Sequence, residues 1–183
     1  MKPYAASMPL DITWTRRAMR LPPEVREELA RMMDKIHPHF TEIRRPMKVG
    51  ITRFYDGLVF QSNAGKVKLM VDVHRSRKGG WKFPTYWTIV HEFMHLVQFN
   101  DDGIPGGERA IDIQALARVP PGLIDDSPCY LVVPDEIRDS WNDKYAELAH
   151  VLAKEALKKR QNGLRRYAVW WEDEFEKRAQ SGK

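Results

Sequence analysis

The sequence predicts an α+β fold: a small antiparallel β-sheet packed on a buried helix and a following helix, with further helices at both ends. Three observations predict it. Apolar residues recur at helical spacing near the start of the chain and throughout its last third. Short β-rich segments separated by turn residues fill positions 47–74. A strongly apolar helical pattern follows over residues 84–100.

Residues 1–21 show no clear period. Pro22 and Pro23 then open a helix, because proline suits a first turn. Val25, Leu29, Met32 and Ile36 share its apolar face, and His37-Pro38 ends it. Residues 47–55, 58–62 and 66–74 read as strands, with Asp56-Gly57 and Asn63-Ala64-Gly65 as turns between them. Val67, Leu69, Val71 and Val73 alternate on one face of the third, so an antiparallel meander with one buried face is expected.

Pro84 starts the next helix, running to about Asn100 and apolar around most of its girth. A loop through Asp101-Asp102-Gly103 and Pro105-Gly106-Gly107 leads to a helix over about 107–118. Residues 119–134 hold four prolines and read as turns and extended chain. Ile137, Trp141, Tyr145, Leu148, Leu152 and Ala156 stripe one long helix, which Asn162-Gly163 breaks. Leu164, Tyr167, Trp171 and Phe175 stripe the last. The expectation is a single domain over 1–183: an N-terminal helical segment (1–46), the sheet and central helices (47–118), and a C-terminal helical segment (119–183).

Composition narrows the function classes. The chain has 183 residues, 43% hydrophobic and 30% charged, ordinary for a globular protein. No apolar run approaches the ~18 residues that span a bilayer, and no signal peptide is evident. A single cysteine, Cys129, excludes an intrachain disulfide framework and a thiolate-rich zinc site, which favours a cytoplasmic setting. The net charge of +5 hides a pattern. Residues 1–82 carry 17 Lys/Arg against 8 Asp/Glu, residues 83–152 carry 4 against 12, and residues 153–183 carry 9 against 5. Basic flanks suggest nucleic acid; an acidic middle suggests carboxylates gathered around a cation.

The chemistry-bearing motif is His91-Glu92-Phe93-Met94-His95, an HExxH pattern within the second predicted helix. Histidines four apart lie on one helical face, so both imidazoles can reach one zinc ion. Glu92 points to the same side, where it can hold a water whose pKa zinc lowers to ~7 and take its proton. This composition would produce one such motif by chance in about 1% of chains of this length. His, Glu and His are also costly to bury on an apolar helix without partners.

On these residues the chain resembles the zincin metallopeptidases over about residues 47–118. The resemblance implies an upper sheet whose edge strand holds extended substrate, with residues 66–74 as the candidate edge. It also implies zinc as cofactor and a peptide or protein as substrate. The metzincin form HExxHxxGxxH fails: Gln98 and Asp101 stand at its glycine and third-ligand positions, and no methionine follows Met94. The gluzincins place Glu-x-x-x-Asp on a second helix, which Glu108-Arg109-Ala110-Ile111-Asp112 matches. By that likeness Glu108 binds zinc and Asp112 orients a ligand histidine. Helix geometry argues otherwise. In an antiparallel hairpin centred near residue 103 or 104, facing residues sum to about 206–208, which levels Asp112 with His95 and leaves Glu108 ~6 Å away. Level alone therefore favours Asp112 as third ligand, as in the aspzincins, with Glu108 as the rival.

Other candidates follow from position. Tyr130, after the ligand helix, could hydrogen-bond a developing oxyanion. His74 ends the candidate edge strand, His37 and His39 flank a helix-ending proline, and His150 lies beside the Tyr145–Leu152 stripe. Lys158-Lys159-Arg160 and Arg165-Arg166, near Trp170-Trp171, could contact a nucleic-acid backbone. SprT-like proteases pair HExxH with DNA binding but use a third histidine that is not apparent here. The leading expectation is thus a zinc-dependent metallopeptidase with Glu92 and Tyr130 as catalytic groups. The alternative is a non-enzymatic zinc module whose basic helices bind nucleic acid or protein.

Overall fold

The computed structural model describes residues 10–43, 46–61, 67–99 and 103–181. Backbone proximity divides the chain into two compact units, Met1–Pro84 and Thr85–Lys183. The fold class is α+β.

The first unit holds the sheet. Its strands are β1 (Ile12–Trp14), β2 (Met47–Thr52), β3 (Gly57–Gln61) and β4 (Val67–Asp72), in the order β1-β2-β4-β3. Helix α1 (Pro23–Ile36) follows β1 and buries Val25, Leu29, Met32, Met33 and Ile36, the face its spacing predicted plus one methionine. A hairpin of β5 (His74–Arg75) and β6 (Trp81–Lys82) closes the unit.

The sheet departs from the expected meander. β1 and β4 both pair with β2 in parallel, and only β3 runs antiparallel, against β4. The physical reason lies in β2, whose Met47, Val49, Gly50, Ile51 and Thr52 are all buried. A strand covered on both faces belongs in the sheet interior, with a neighbour on each side. Gly50 fits there because it lies opposite Met70, whose thioether occupies the space a Cβ would need. Asp56-Gly57 reverses the chain as its residues predict, but β3 then pairs with β4 rather than β2. Consequently β4 is an interior strand, and residues 66–74 are not the sheet edge that the zincin likeness implied. β1 was not legible in the sequence, being three residues long. Ser62, Asn63, Ala64, Gly65 and Lys66, expected as strand ends and a turn, lie outside the described residues, as do Asp101, Asp102 and residues 1–9.

The second unit is helical among its described residues: α2 (Tyr86–Gln98), α3 (Glu108–Arg118), α4 (Asp135–Asp139), α5 (Asp143–Gln161) and α6 (Tyr167–Ser181). α5 packs on both α3 and α6. Trp171 and Phe175 stack at 4.8 Å between centroids, and the Trp171 indole N–H donates to the Ala149 carbonyl at 3.2 Å. The long helix expected through Ile137 and Ala156 is two helices. Asn142 caps α5 by accepting from the Lys144 and Tyr145 amides, so the chain breaks at Ser140–Asn142 before restarting. Gly163, at φ +95°, makes the break before α6. No helix among the described residues is long and apolar enough to cross a membrane.

Candidate metal centre

The centre is built within the second unit by α2, α3 and the 125–133 segment. Helix α2 is firmly started. The Thr85 hydroxyl accepts from the Thr88 amide at 3.1 Å, and the Asp125 carboxylate accepts from the amides of Tyr86 at 3.0 Å and Trp87 at 2.8 Å. Three of the N–H groups that a helix start leaves unpaired are thereby satisfied. This fixes the axial position of His91 and His95, one turn apart on the same face.

Three side-chain atoms converge. His91 Nε2, His95 Nε2 and Glu108 Oε2 are each 3.1 Å from the other two. An ion ~2.0–2.1 Å from three tetrahedral ligands would hold them ~3.3 Å apart. The triangle therefore fits a zinc-sized ion with little adjustment. Its chemistry fits as well, since two imidazole nitrogens and a carboxylate are a donor set that zinc accepts. His91 is buried, whereas the Glu108 side chain is 45% exposed, so the triangle opens on that side.

Asp112 occupies a different position from the one helix level assigned it. Its side chain is wholly buried, and Oδ1 sits 2.8 Å from His91 Nδ1. Oδ2 accepts from the backbone amides of Tyr130 at 2.9 Å and Leu131 at 3.2 Å. Both oxygens are therefore engaged away from the triangle. A carboxylate facing Nδ1 keeps the proton there and leaves the Nε2 lone pair directed at the cluster. The pairs 91 with 112 and 95 with 108 both sum to 203, three to five below the expected 206–208. The loop accounts for the shift. Gln98 Nε2 donates to the Pro105 carbonyl at 2.8 Å, folding the loop back on the end of α2, so α3 starts about one turn further along it. Gly107 permits this by adopting φ +99° immediately before Glu108, in the left-handed region that favours glycine.

Burial alone would lower the His91 pKa. The Asp112 hydrogen bond, then the charges of Asp112, Glu92 and Glu108, outweigh it and raise the value above normal. Glu92 is itself buried at 7% exposure and close enough to His91 for its charge to act on that ring. Tyr130 is half-exposed, and its ring stacks on His91 at 5.3 Å between centroids. Partial burial raises its phenol pKa, and the nearby charges of Glu108, Cys129, Glu92 and Asp112 add to this, so the hydroxyl keeps its proton at neutral pH.

Several residues that hold this arrangement carried no motif. Arg109 and Glu172 form an ion pair, and Glu172 also accepts from the Val132 amide at 2.9 Å. Arg138 donates to the Ser127 hydroxyl at 3.1 Å and the Pro128 carbonyl at 3.0 Å. Together with Asp112 they fix the 127–132 segment that carries Tyr130. The sequence signal for Glu172 was only its place next to Trp171 of the apolar stripe; its burial came from the structure.

The remaining histidines are engaged elsewhere. His150 Nδ1 meets the Leu116 carbonyl at 2.8 Å, tying α5 to α3. His74 pairs with Asp72 at 2.9 Å in the first unit, and His37 Nε2 lies 3.4 Å from the Ile43 carbonyl. Burial lowers the His39 pKa. Cys129 is exposed. Lys159 lies over the Trp170 ring at 4.6 Å. Comparison with protein-family models, curated proteins and solved structures finds no match.

Proposed function

We propose that the chain is a zinc-dependent metallopeptidase whose ligands are His91, His95 and Glu108. The carrying observation is the 3.1 Å triangle of two imidazole nitrogens and a carboxylate oxygen, open on the Glu108 side. Asp112 is then the group that holds His91, not a ligand. When bound, zinc polarises a peptide carbonyl and lowers the pKa of water to ~7. Glu92 accepts a proton from the attacking water and returns it to the leaving amine as the C–N bond breaks. The Tyr130 hydroxyl, protonated at neutral pH, donates to the oxyanion that develops on the former carbonyl oxygen. The single cysteine supports a cytoplasmic setting.

Zinc content per chain and cleavage of a mixed peptide library test this reading. About one zinc per chain, with hydrolysis that chelator removes and zinc restores, supports it. One bound zinc with no hydrolysis favours the second reading, a non-enzymatic module. That reading draws on the Lys159–Trp170 pair and the basic residues around it, and it expects salt-dependent affinity for nucleic acid.

A further inference from the structure

A cleft of about 670 Å³ opens beside Glu108. Glu108 and Tyr130 line it together with Gly107, just before α3, and with Arg165, Arg166 and Tyr167 at and before the start of α6. Glu108 belongs to the triangle and Tyr130 stacks on His91, so an occupant of the cleft meets one corner of the centre. The size suits a short peptide segment.

Charge decides what kind of segment. Arg109 also lines the cleft, but Glu172 neutralises it. Among the described residues no carboxylate pairs with Arg165 or Arg166, and both are exposed. Two guanidinium groups without a carboxylate partner among the described residues therefore line the same cleft as Glu108. Guanidinium groups bind carboxylates through paired N–H donors.

We infer that this cleft is a substrate subsite for a peptide carboxylate, held by Arg165 and Arg166 while a neutral amide reaches the centre. The inference rests on the metallopeptidase reading for the amide and on the cleft alone for the carboxylate. A phosphodiester chain fits less well, because its next charge would enter a centre where Glu92, Glu108 and Asp112 together outweigh the two charges of a bound zinc ion. The carboxylate can belong to an acidic side chain or to a peptide C-terminus.

The test uses dansyl-labelled short peptides of Gly, Ser and Leu carrying one Glu, Gln or Lys, each with a free or amidated C-terminus. Binding is measured on the zinc-loaded Glu92→Gln protein, so that it is read apart from hydrolysis. Peptides with the recognised carboxylate bind roughly tenfold or more tightly than their neutral counterparts, and added salt reduces the difference. Arg165→Gln with Arg166→Gln removes the preference, and Arg165→Glu with Arg166→Glu turns it toward the Lys peptide. Zinc content reports that each variant keeps its fold. Dependence on the Glu/Gln exchange identifies a side-chain carboxylate; dependence on amidation identifies the C-terminus.

Equal affinity for all peptides, or a preference that survives both double variants, overturns the inference. So does a single-stranded DNA affinity that depends on Arg165 and Arg166 while peptide preference does not. Wild-type cleavage of the same peptides separates the two proposals. An arginine-dependent preference without any cleavage sinks the peptidase reading and leaves the subsite standing. Cleavage without preference does the reverse.

Discussion

Asp112 holds His91 by its Nδ1 at 2.8 Å, and this contact sorts the two acids of α3 into different roles. Glu108, one turn earlier, is left to meet both Nε2 atoms.

That division predicts two distinguishable losses. Glu108→Gln removes a charged ligand and weakens zinc binding more than Asp112→Asn does. Asp112→Asn costs about 10–100-fold in zinc affinity, because the ring it orients loses its charged partner. Competition with a chromogenic chelator measures both. A larger loss from Asp112→Asn would restore Asp112 as the ligand.

Asp112→Ala adds a stability cost. The Tyr130 and Leu131 amides lose their acceptor in a buried site, at about 3 kcal/mol together. Urea denaturation of the metal-free protein checks it, and a change under about 1 kcal/mol would mean that water replaces the carboxylate freely.

Glu92→Gln separates binding from chemistry. Zinc content stays near one per chain while hydrolysis falls about 10²–10⁴-fold. Residual activity within a few-fold of wild type would remove Glu92 from the mechanism.

Proton and metal compete for His91 Nε2. The folded, metal-free ring has a raised pKa, so it holds its proton to higher pH than a free histidine, and zinc must displace that proton. Zinc affinity therefore falls as pH drops through the raised His91 value, starting above 6.5, the ordinary value. Calorimetric titration across pH measures this. An affinity flat down to pH ~5 would contradict it.

Zinc should also stabilise the fold that holds it. At a hundredfold excess over Kd, binding contributes about 2.7 kcal/mol, raising Tm by about 5–10 °C in a chain of this size. Gly107→Ala should reduce that shift, because alanine is strained at φ +99° and Glu108 is the next residue. Thermal scans with zinc and with chelator compare the two proteins.

The sequence by itself determined the α+β class, the α1 and α2 helices, and the grouping of His91, Glu92 and His95. These are local matters: a period of 3.6 residues and a spacing of four fix which side chains share a face, whatever surrounds them. It also named both Glu108 and Asp112, but not their order. Which acid meets which nitrogen depends on how far α3 slides along α2, and the Gln98–Pro105 contact and the Gly107 backbone set that offset. Strand adjacency was likewise out of reach, because turn residues reverse a chain without saying which strand lies beside it, and β4 came between β2 and β3. Arg109 pairs with Glu172, and Arg165 and Arg166 share a cleft with Glu108, in each case far apart in the chain, so only tertiary structure could bring them together.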